Sequence, residues 1–500
     1  MNSKHFLLAL SLFSASALAQ SPSVECLLRG DCFRGEDVMN HLKALQAVAE
    51  KGSGNRAAGS LGHELSANYI AQKLLAAGFI VKLEPFDFMK FEKISAKFLK
   101  ASVVFEEGKD FNLMSYSGSG TATAQVSAVD LQMGEGNTST SGCETADFSS
   151  FPKGNIALIQ RGSCSFGQKV ANAQAAGAAG VVIFNQGNTP DRSGLLVGTL
   201  PEGTSIKIPA IAISYSFAET LLSEEGLELT VEAETFVDQK VSFNVIAETK
   251  GGNPDNVVMI GAHLDSVGEG PGINDNGSGS AGILSVALKM KDLPVVNKVR
   301  FGWFSAEELG LIGSTKYVAA LTQAEKDKIA LFINVDMIGS PNYMIGVYDG
   351  DGSRFGQKGP EGSAAIENLF HSFYGTKNVR SVETELNGRS DYAAFSAAGI
   401  AVGGIFTGAE GKKTEDEAVL FGGAKDEAYD ACYHKACDDL ANISTEALEL
   451  NTNAIAYLAQ SFANSAETVR GSNKLKGLAR LKNRVVFPKH LHCNGDEHAE

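Results

Sequence analysis

Val257-Val258-Met259-Ile260-Gly261-Ala262 is an apolar run that halts at His263-Leu264-Asp265. Two more such runs follow it: 299–305, leading into Ala306-Glu307-Glu308-Leu309, and 329–335, leading into Asp336-Met337. Between them, residues 280–291 and 314–321 carry apolar side chains at helical spacing. Short apolar strands alternating with helices predict the α/β class, a mostly parallel central sheet with helices on both faces. At the carboxyl ends of such strands the loops splay into a crevice, so whatever sits there converges. In this chain those ends carry histidines and acids.

Outward from this core, residues 36–50 and 62–77 read as helices, the second closing on Gly78, and 79–86 as a strand. A Ser/Gly-rich break at 117–120 opens a stretch with its own rhythm: a strand at 155–160, a turn at Arg161-Gly162, a helix at 168–176 and a strand at 181–184. The organisation expected is therefore a discontinuous main domain, 36–115 and 242–466, interrupted by a small α/β domain at 116–241. Residues 467–500 form a basic tail with Lys474, Lys476, Arg480 and Lys482, read as a solvated, docking or processed segment.

The 500 residues are 44% hydrophobic and 20% charged, ordinary for a globular protein and long enough for two domains. A net charge of −15, with basic residues not gathered near aromatic ones, excludes the footprint of a nucleic-acid binder. Residues 1–19, with Lys4 ahead of a short apolar run and Ala17-Leu18-Ala19 at its end, read as a cleaved signal peptide, so the mature protein is expected outside the cell or in the periplasm. No later stretch approaches the ~18 consecutive apolar residues of a membrane span. Export favours disulfides, and proximity pairs Cys143 with Cys164 and Cys432 with Cys437. Cys26, Cys32 and Cys493 leave one thiol over, and the sequence does not choose it.

To the strand-end residues His263, Glu307, Glu308 and Asp336 must be added Asp275, in Gly272-Ile273-Asn274-Asp275-Asn276-Gly277, and His434, in Cys432-Tyr433-His434-Lys435-Ala436-Cys437. Singly, each has an ordinary structural explanation: a hydrogen-bonded histidine, or an acidic first turn of a helix. Together, His263, Asp275, Glu308, Asp336 and His434 form a nitrogen and oxygen donor set suited to Zn²⁺. Three carboxylates in one crevice repel unless positive charge lies between them. Two divalent ions roughly 3.5–4 Å apart, bridged by one carboxylate, resolve that repulsion. Asp265 lies two residues after His263, so on an extended strand its carboxylate shares a face with the imidazole and can accept its second N–H. The glycines of 272–282 lack the G-x-x-x-x-G-K-[ST] form, which excludes a phosphate loop.

These segments resemble the co-catalytic zinc aminopeptidases, the family of secreted bacterial leucyl aminopeptidases and vacuolar aminopeptidase Y. The resemblance is carried by 261–266, 273–279, 304–310, 334–337 and Tyr433-His434, and early in the chain by Asn55-Arg56-Ala57-Ala58-Gly59; it covers roughly residues 55–460. The stretch at about 124–233, with Arg161-Gly162-Ser163-Cys164-Ser165-Phe166, is similar to the protease-associated domain inserted in such enzymes. The resemblance implies a zinc exopeptidase fold with two Zn²⁺ per chain. Asp275 would bridge them, His263 and Asp336 would hold one ion, and Glu308 and His434 the other. It further implies Glu307 as general base, Tyr433 as a donor to the oxyanion, Arg389 in Gly388-Arg389-Ser390-Asp391 as a substrate contact, and a non-prolyl cis peptide after Asp275. The partners implied are peptides with a free amino terminus, and for the inserted domain either substrate or another protein.

Two other functions compete. A metallocarboxypeptidase similar to glutamate carboxypeptidase would share these ligands, but only 66 residues follow His434, too few for the helical domain of those relatives. A non-catalytic peptide-binding protein on the same scaffold would be expected to have lost ligands, and this chain keeps all five together with Glu307.

Overall fold

The apolar runs become strands whose carboxyl ends lie level with one another in a computed structural model that describes residues 22–189, 192–200 and 206–474. The expected signal peptide at 1–19, Cys493 and residues 475–500 of the tail lie outside the described residues. The chain divides into two compact units, Met1–Phe86 with Ser242–Glu500, and Asp87–Val241.

The first unit contains, in chain order, the C-terminal part of β1 (Glu228–Glu248), then β2 (Asn253–His263), β3 (Asn297–Phe304), β4 (Ile329–Val335), β5 (Gly346–Tyr348), β6 (Val382–Thr384) and β7 (Ala401–Phe406). Their order across the sheet is β6-β5-β7-β4-β2-β3-β1. Neighbours run parallel except at β5/β7 and β3/β1. The register pairs His263 with Phe304 and Gly261 with Asn334, so β2, β3 and β4 all deliver their next residues at the same edge.

Helices cover both faces, as near-continuous apolar strands require. Val258, Ile260 and Ala262 of β2 point to one face, with Phe301 and Trp303 of β3 and Leu331 and Ile333 of β4. There they meet Leu42 and Leu45 of α1 (Gly35–Lys51), Ile70 and Leu74 of α2 (Leu61–Ala76) and Ile283 and Leu284 of α3 (Gly279–Met290). The alternate residues Met259, Phe304 and Phe332 point the other way, to Tyr317 and Val318 of α4 (Ile312–Ala320) and to Phe395. Phe332 and Phe395 stack with centroids 3.9 Å apart. The remaining long helices are α5 (Ser363–Thr376) and α6 (Thr445–Asn464), the latter capped by Ser444 Oγ accepting from Ala447 N–H.

The second unit is a small sheet of its own. Gly120–Val129, Ile156–Gln160, Gly180–Phe184 and Ala210–Ile213 lie parallel in that order, with helices Phe166–Ala175 and Tyr215–Leu222. Its core includes Phe98 and Phe111, and a disulfide joins Cys143 to Cys164. The strand expected over 79–86 runs on as Ile80–Lys100, because half-exposed alternating residues continue past Pro85. Disulfides also close Cys26–Cys32 and Cys432–Cys437. No described helix is long and apolar enough to cross a membrane.

Candidate metal centre

The level strand ends assemble one cluster. His263 closes β2, Ser305-Ala306-Glu307-Glu308 follows β3, and Asp336 follows β4. Asp275 enters from the turn ahead of α3, through a peptide bond to Asn276 that is cis. His434 enters from the ring closed by Cys432–Cys437. The backbone is bent to present them: Ala306, Met337 and His434 take φ of 58°, 47° and 57°, a left-handed region that non-glycine residues adopt at a cost and that collects at functional sites.

Asp275 stands between the two imidazoles. Its Oδ1 lies 3.2 Å from His263 Nε2 and its Oδ2 3.2 Å from His434 Nε2. His263 Nε2 also faces Asp336 Oδ1 at 3.3 Å and Glu307 Oε2 at 4.0 Å, while His434 Nε2 faces Glu308 Oε2 at 3.0 Å. The donors therefore fall into two sets that share Asp275. Asp336 Oδ1 and Glu308 Oε1 are buried and accept no hydrogen bond from the described residues, which is the state of an oxygen reserved for a cation.

The electrostatics agree. Burial, and then the neighbouring Asp275, push the Glu308 carboxyl up to about 7. Burial also carries Glu307 well above the usual carboxylate range, with Glu308 and Asp336 adding to it. For His434, burial opposes the charged form, but Asp275 and Glu308 outweigh it and lift the imidazole to about 10. Burial opposes the charge of Asp275 too, but the two imidazoles outweigh it and hold that carboxyl well below the usual range, whereas Glu307 and Glu308 are left short of positive charge, which a divalent ion would supply.

Supporting bonds hold the donors. Ser390 Oγ donates to Asp336 Oδ2 at 2.6 Å and accepts from Asn334 Nδ2 at 2.8 Å. The two oxygens of Asp438 accept the N–H groups of Asn274 and Asp275 at 2.8 and 2.9 Å. Arg56, fully buried, donates to the carbonyls of Leu264, Pro271 and Gly272, pinning the loop between His263 and Asp275. Arg56→Met should strip the guanidinium from all three and leave the Leu264 and Pro271 carbonyls without that donor, Gly272 keeping its bond from Gly277 N–H. The cost expected is about 3–5 kcal/mol, because buried groups stripped of a charged partner lose desolvation energy. A denaturation midpoint unchanged in that variant would show that the loop holds without it.

The role given to Asp265 needs correction at the level of the atom. The backbone carbonyl of Asp265 lies 3.1 Å from His263 Nδ1, whereas its carboxylate stands 3.8 Å away. That carboxylate instead accepts from Glu307 N–H at 3.2 Å. β2 ends at His263, so the same-face rule of an extended strand no longer holds two residues later. Arg389 donates to Glu410 Oε1 at 2.7 Å and to the Tyr433 hydroxyl at 3.5 Å, and the Tyr433 ring stacks on His434. Both line the cavity into which His263, Asp275, Glu307, Glu308 and Asp336 open. Asp438 and Ser390 were not singled out from the sequence as functional; the only hint was adjacency, Asp438 following Cys437 and Ser390 following Arg389.

Comparison with known proteins follows this geometry. Residues 244–459 match the model of peptidase family M28, and 122–221 that of the PA domain. The chain is 49% identical over 442 residues to an "Aminopeptidase" of Pseudomonas aeruginosa, covering 88% of this chain and 82% of the relative. It is 40% identical over 436 residues to "Leucine aminopeptidase 2" of Trichophyton rubrum, covering 86% and 84%. Among solved structures it is similar to an aminopeptidase from Aneurinibacillus sp. strain AM-1, with TM-score 0.68 and 28% identity over 88% of this chain and 96% of that one. It is also similar to a zinc aminopeptidase from Bacillus subtilis, with TM-score 0.58 and 25% identity over 86% and 94%.

Proposed function

This chain belongs to peptidase family M28, and we propose that it is a secreted metallo-aminopeptidase that holds two zinc ions and uses Glu307 as general base. The observation that carries the reading is Asp275, with one oxygen 3.2 Å from each of two imidazoles that otherwise face separate carboxylates. His263 and Asp336 would hold one ion, His434 and Glu308 the other, and Asp275 both. The chemistry supplied there when zinc is bound is polarisation of the scissile carbonyl and acidification of water.

The side chains divide the rest of the work. Glu307 takes the proton of the attacking water and returns it to the leaving amine. The Tyr433 hydroxyl donates to the developing oxyanion, and Arg389, beside it, contacts the substrate. A wall of carboxylates attracts the α-ammonium group of a peptide and repels a terminal carboxylate. Met337, Tyr348 and Phe406 line the same cavity, and with the relatives named leucine aminopeptidase they support an apolar first residue. Residues 1–19 and the three disulfides support export. The unit similar to the PA domain is assigned a binding role, toward substrate or another protein.

Cleavage should require a free amino terminus. Hydrolysis of matched peptides with free and acetylated amino ends, with and without chelator, tests this. Equal rates on both would overturn the amino-terminal assignment, and cleavage that fails on carboxyl-terminal amides would install the carboxypeptidase in its place. Binding of peptides without any turnover would favour the non-catalytic reading.

A further inference from the structure

Behind the sheet edge, and apart from the donors already described, α5 and β6 bring together a second set of ligating side chains. Glu367 and His371 stand one turn apart on α5, and Glu383 faces them from β6. One ligand atom from each lies within 4.8 Å of the others. We propose that Glu367, His371 and Glu383 bind a further divalent cation of the zinc class, outside the catalytic cavity.

Glu367 is the side chain that points to a ligand. It is 3% exposed, and its Oε2 accepts the N–H groups of Gly350 and Asp351 at 2.9 and 3.0 Å. Its Oε1 accepts no hydrogen bond among the described residues, although His371 Nε2 lies 3.7 Å away. A nine-tenths buried carboxylate with one oxygen unpaired and aimed at an imidazole has the geometry of a ligand waiting for its ion. The imidazole is already oriented: its Nδ1 is hydrogen-bonded to Ser381 Oγ at 2.7 Å, which leaves Nε2 directed at the cluster, the arrangement that supports metal-binding histidines. Among the described residues the Glu383 carboxylate accepts one long bond, from Ser353 Oγ at 3.3 Å.

Tetrahedral zinc with ligand bonds of about 2.0–2.2 Å sets its donors roughly 3.3 Å apart. Glu367 and His371, already 3.7 Å apart, and Glu383, within 4.8 Å of both, would be drawn inward by the ion, and solvent would supply the fourth position. The nitrogen donor selects a borderline cation over Ca²⁺, which prefers six or more oxygens. The neighbouring trio of Asp349, Asp351 and Glu367 is different in kind. Both Asp349 oxygens are occupied by the N–H groups of Ser353, Arg354 and Phe355, so that carboxylate braces its own loop. Zinc at the proposed site would clamp α5 to β6, whose last residue, Thr384, lines the catalytic cavity.

Zinc content per chain, measured on the full-length protein after dialysis at a free zinc concentration that saturates it, tests the site. The unaltered protein should hold one equivalent more than His371→Ala and one more than Glu383→Gln, a milder change at a partly exposed position. Both variants should keep the kcat of the unaltered protein. Equal zinc in all three proteins overturns the proposal, as does one equivalent of calcium retained in preference to zinc. His434→Ala, measured alongside, separates this site from the catalytic one. Loss of metal in His434→Ala without loss in the other two overturns only the further site; the reverse pattern overturns only the catalytic assignment.

Discussion

Glu307→Gln is expected to fold and to hold zinc as the unaltered chain does, while its turnover falls about 10²–10⁴-fold, the usual worth of a positioned general base. The substitution keeps shape and removes only the capacity to take a proton. Glu307 is the carboxylate left over once Asp275, Asp336 and Glu308 have paired with the imidazoles: its Oε2 stands 4.0 Å from His263 Nε2, against 3.0–3.3 Å for the others. Its backbone N–H is fixed by the Asp265 carboxylate, so the side chain is aimed without being consumed as a ligand. Burial, then the like charges of Glu308 and Asp336, set its carboxyl apart from an exposed glutamate, as is usual of groups at functional sites. Rates measured together with zinc content decide the matter. Undiminished kcat with full metal would remove Glu307 from the mechanism.

Asp275→Ala should abolish activity by a different route, the loss of metal from both donor sets at once. Each imidazole faces one Asp275 oxygen, so a single truncation strips both of a shared partner. The metal-free variant should also be less stable than the metal-free parent, because His263 and His434 lose the carboxylate that pairs with both of them and holds its own charge against burial, while the N–H groups of residues 274 and 275 keep their bonds to Asp438. Zinc analysis and melting of both proteins in chelator give the two readouts. Two zincs retained in the variant would reject the shared ligand.

Much of this is legible in the sequence, for a physical reason. A parallel sheet buried on both faces writes its strands as apolar runs, and the polar residue that ends each run falls at the edge where sites form. His263, Glu307, Glu308 and Asp336 could be placed that way. Asp275 and His434 lie on loops whose geometry no periodicity encodes, and resemblance located their partners. Arg56 enters from the sequence only as part of a motif, without a role, and Asp438 not at all, because their work is done by hydrogen bonds to loops distant in sequence. The Asp265 carboxylate meets Glu307 N–H and not the imidazole because the strand stops at His263, a boundary the apolar run does not mark.

The bonds of Arg56 and Asp438 have a kinetic consequence. Arg56 reaches a carbonyl 216 residues away, and Asp438 the N–H of Asp275 at a separation of 163. The conformational entropy of closing such long spans must be met before both donor sets are complete, and non-local closure is slow. Metal capture is therefore a late event on the way to the native chain. A nascent or clipped polypeptide lacking the residues around 434–438 would lack His434 and the Asp438 carboxylate that braces Asp275, so the donor set of Asp275, Glu308 and His434 would be incomplete until both distant ends of the span have met.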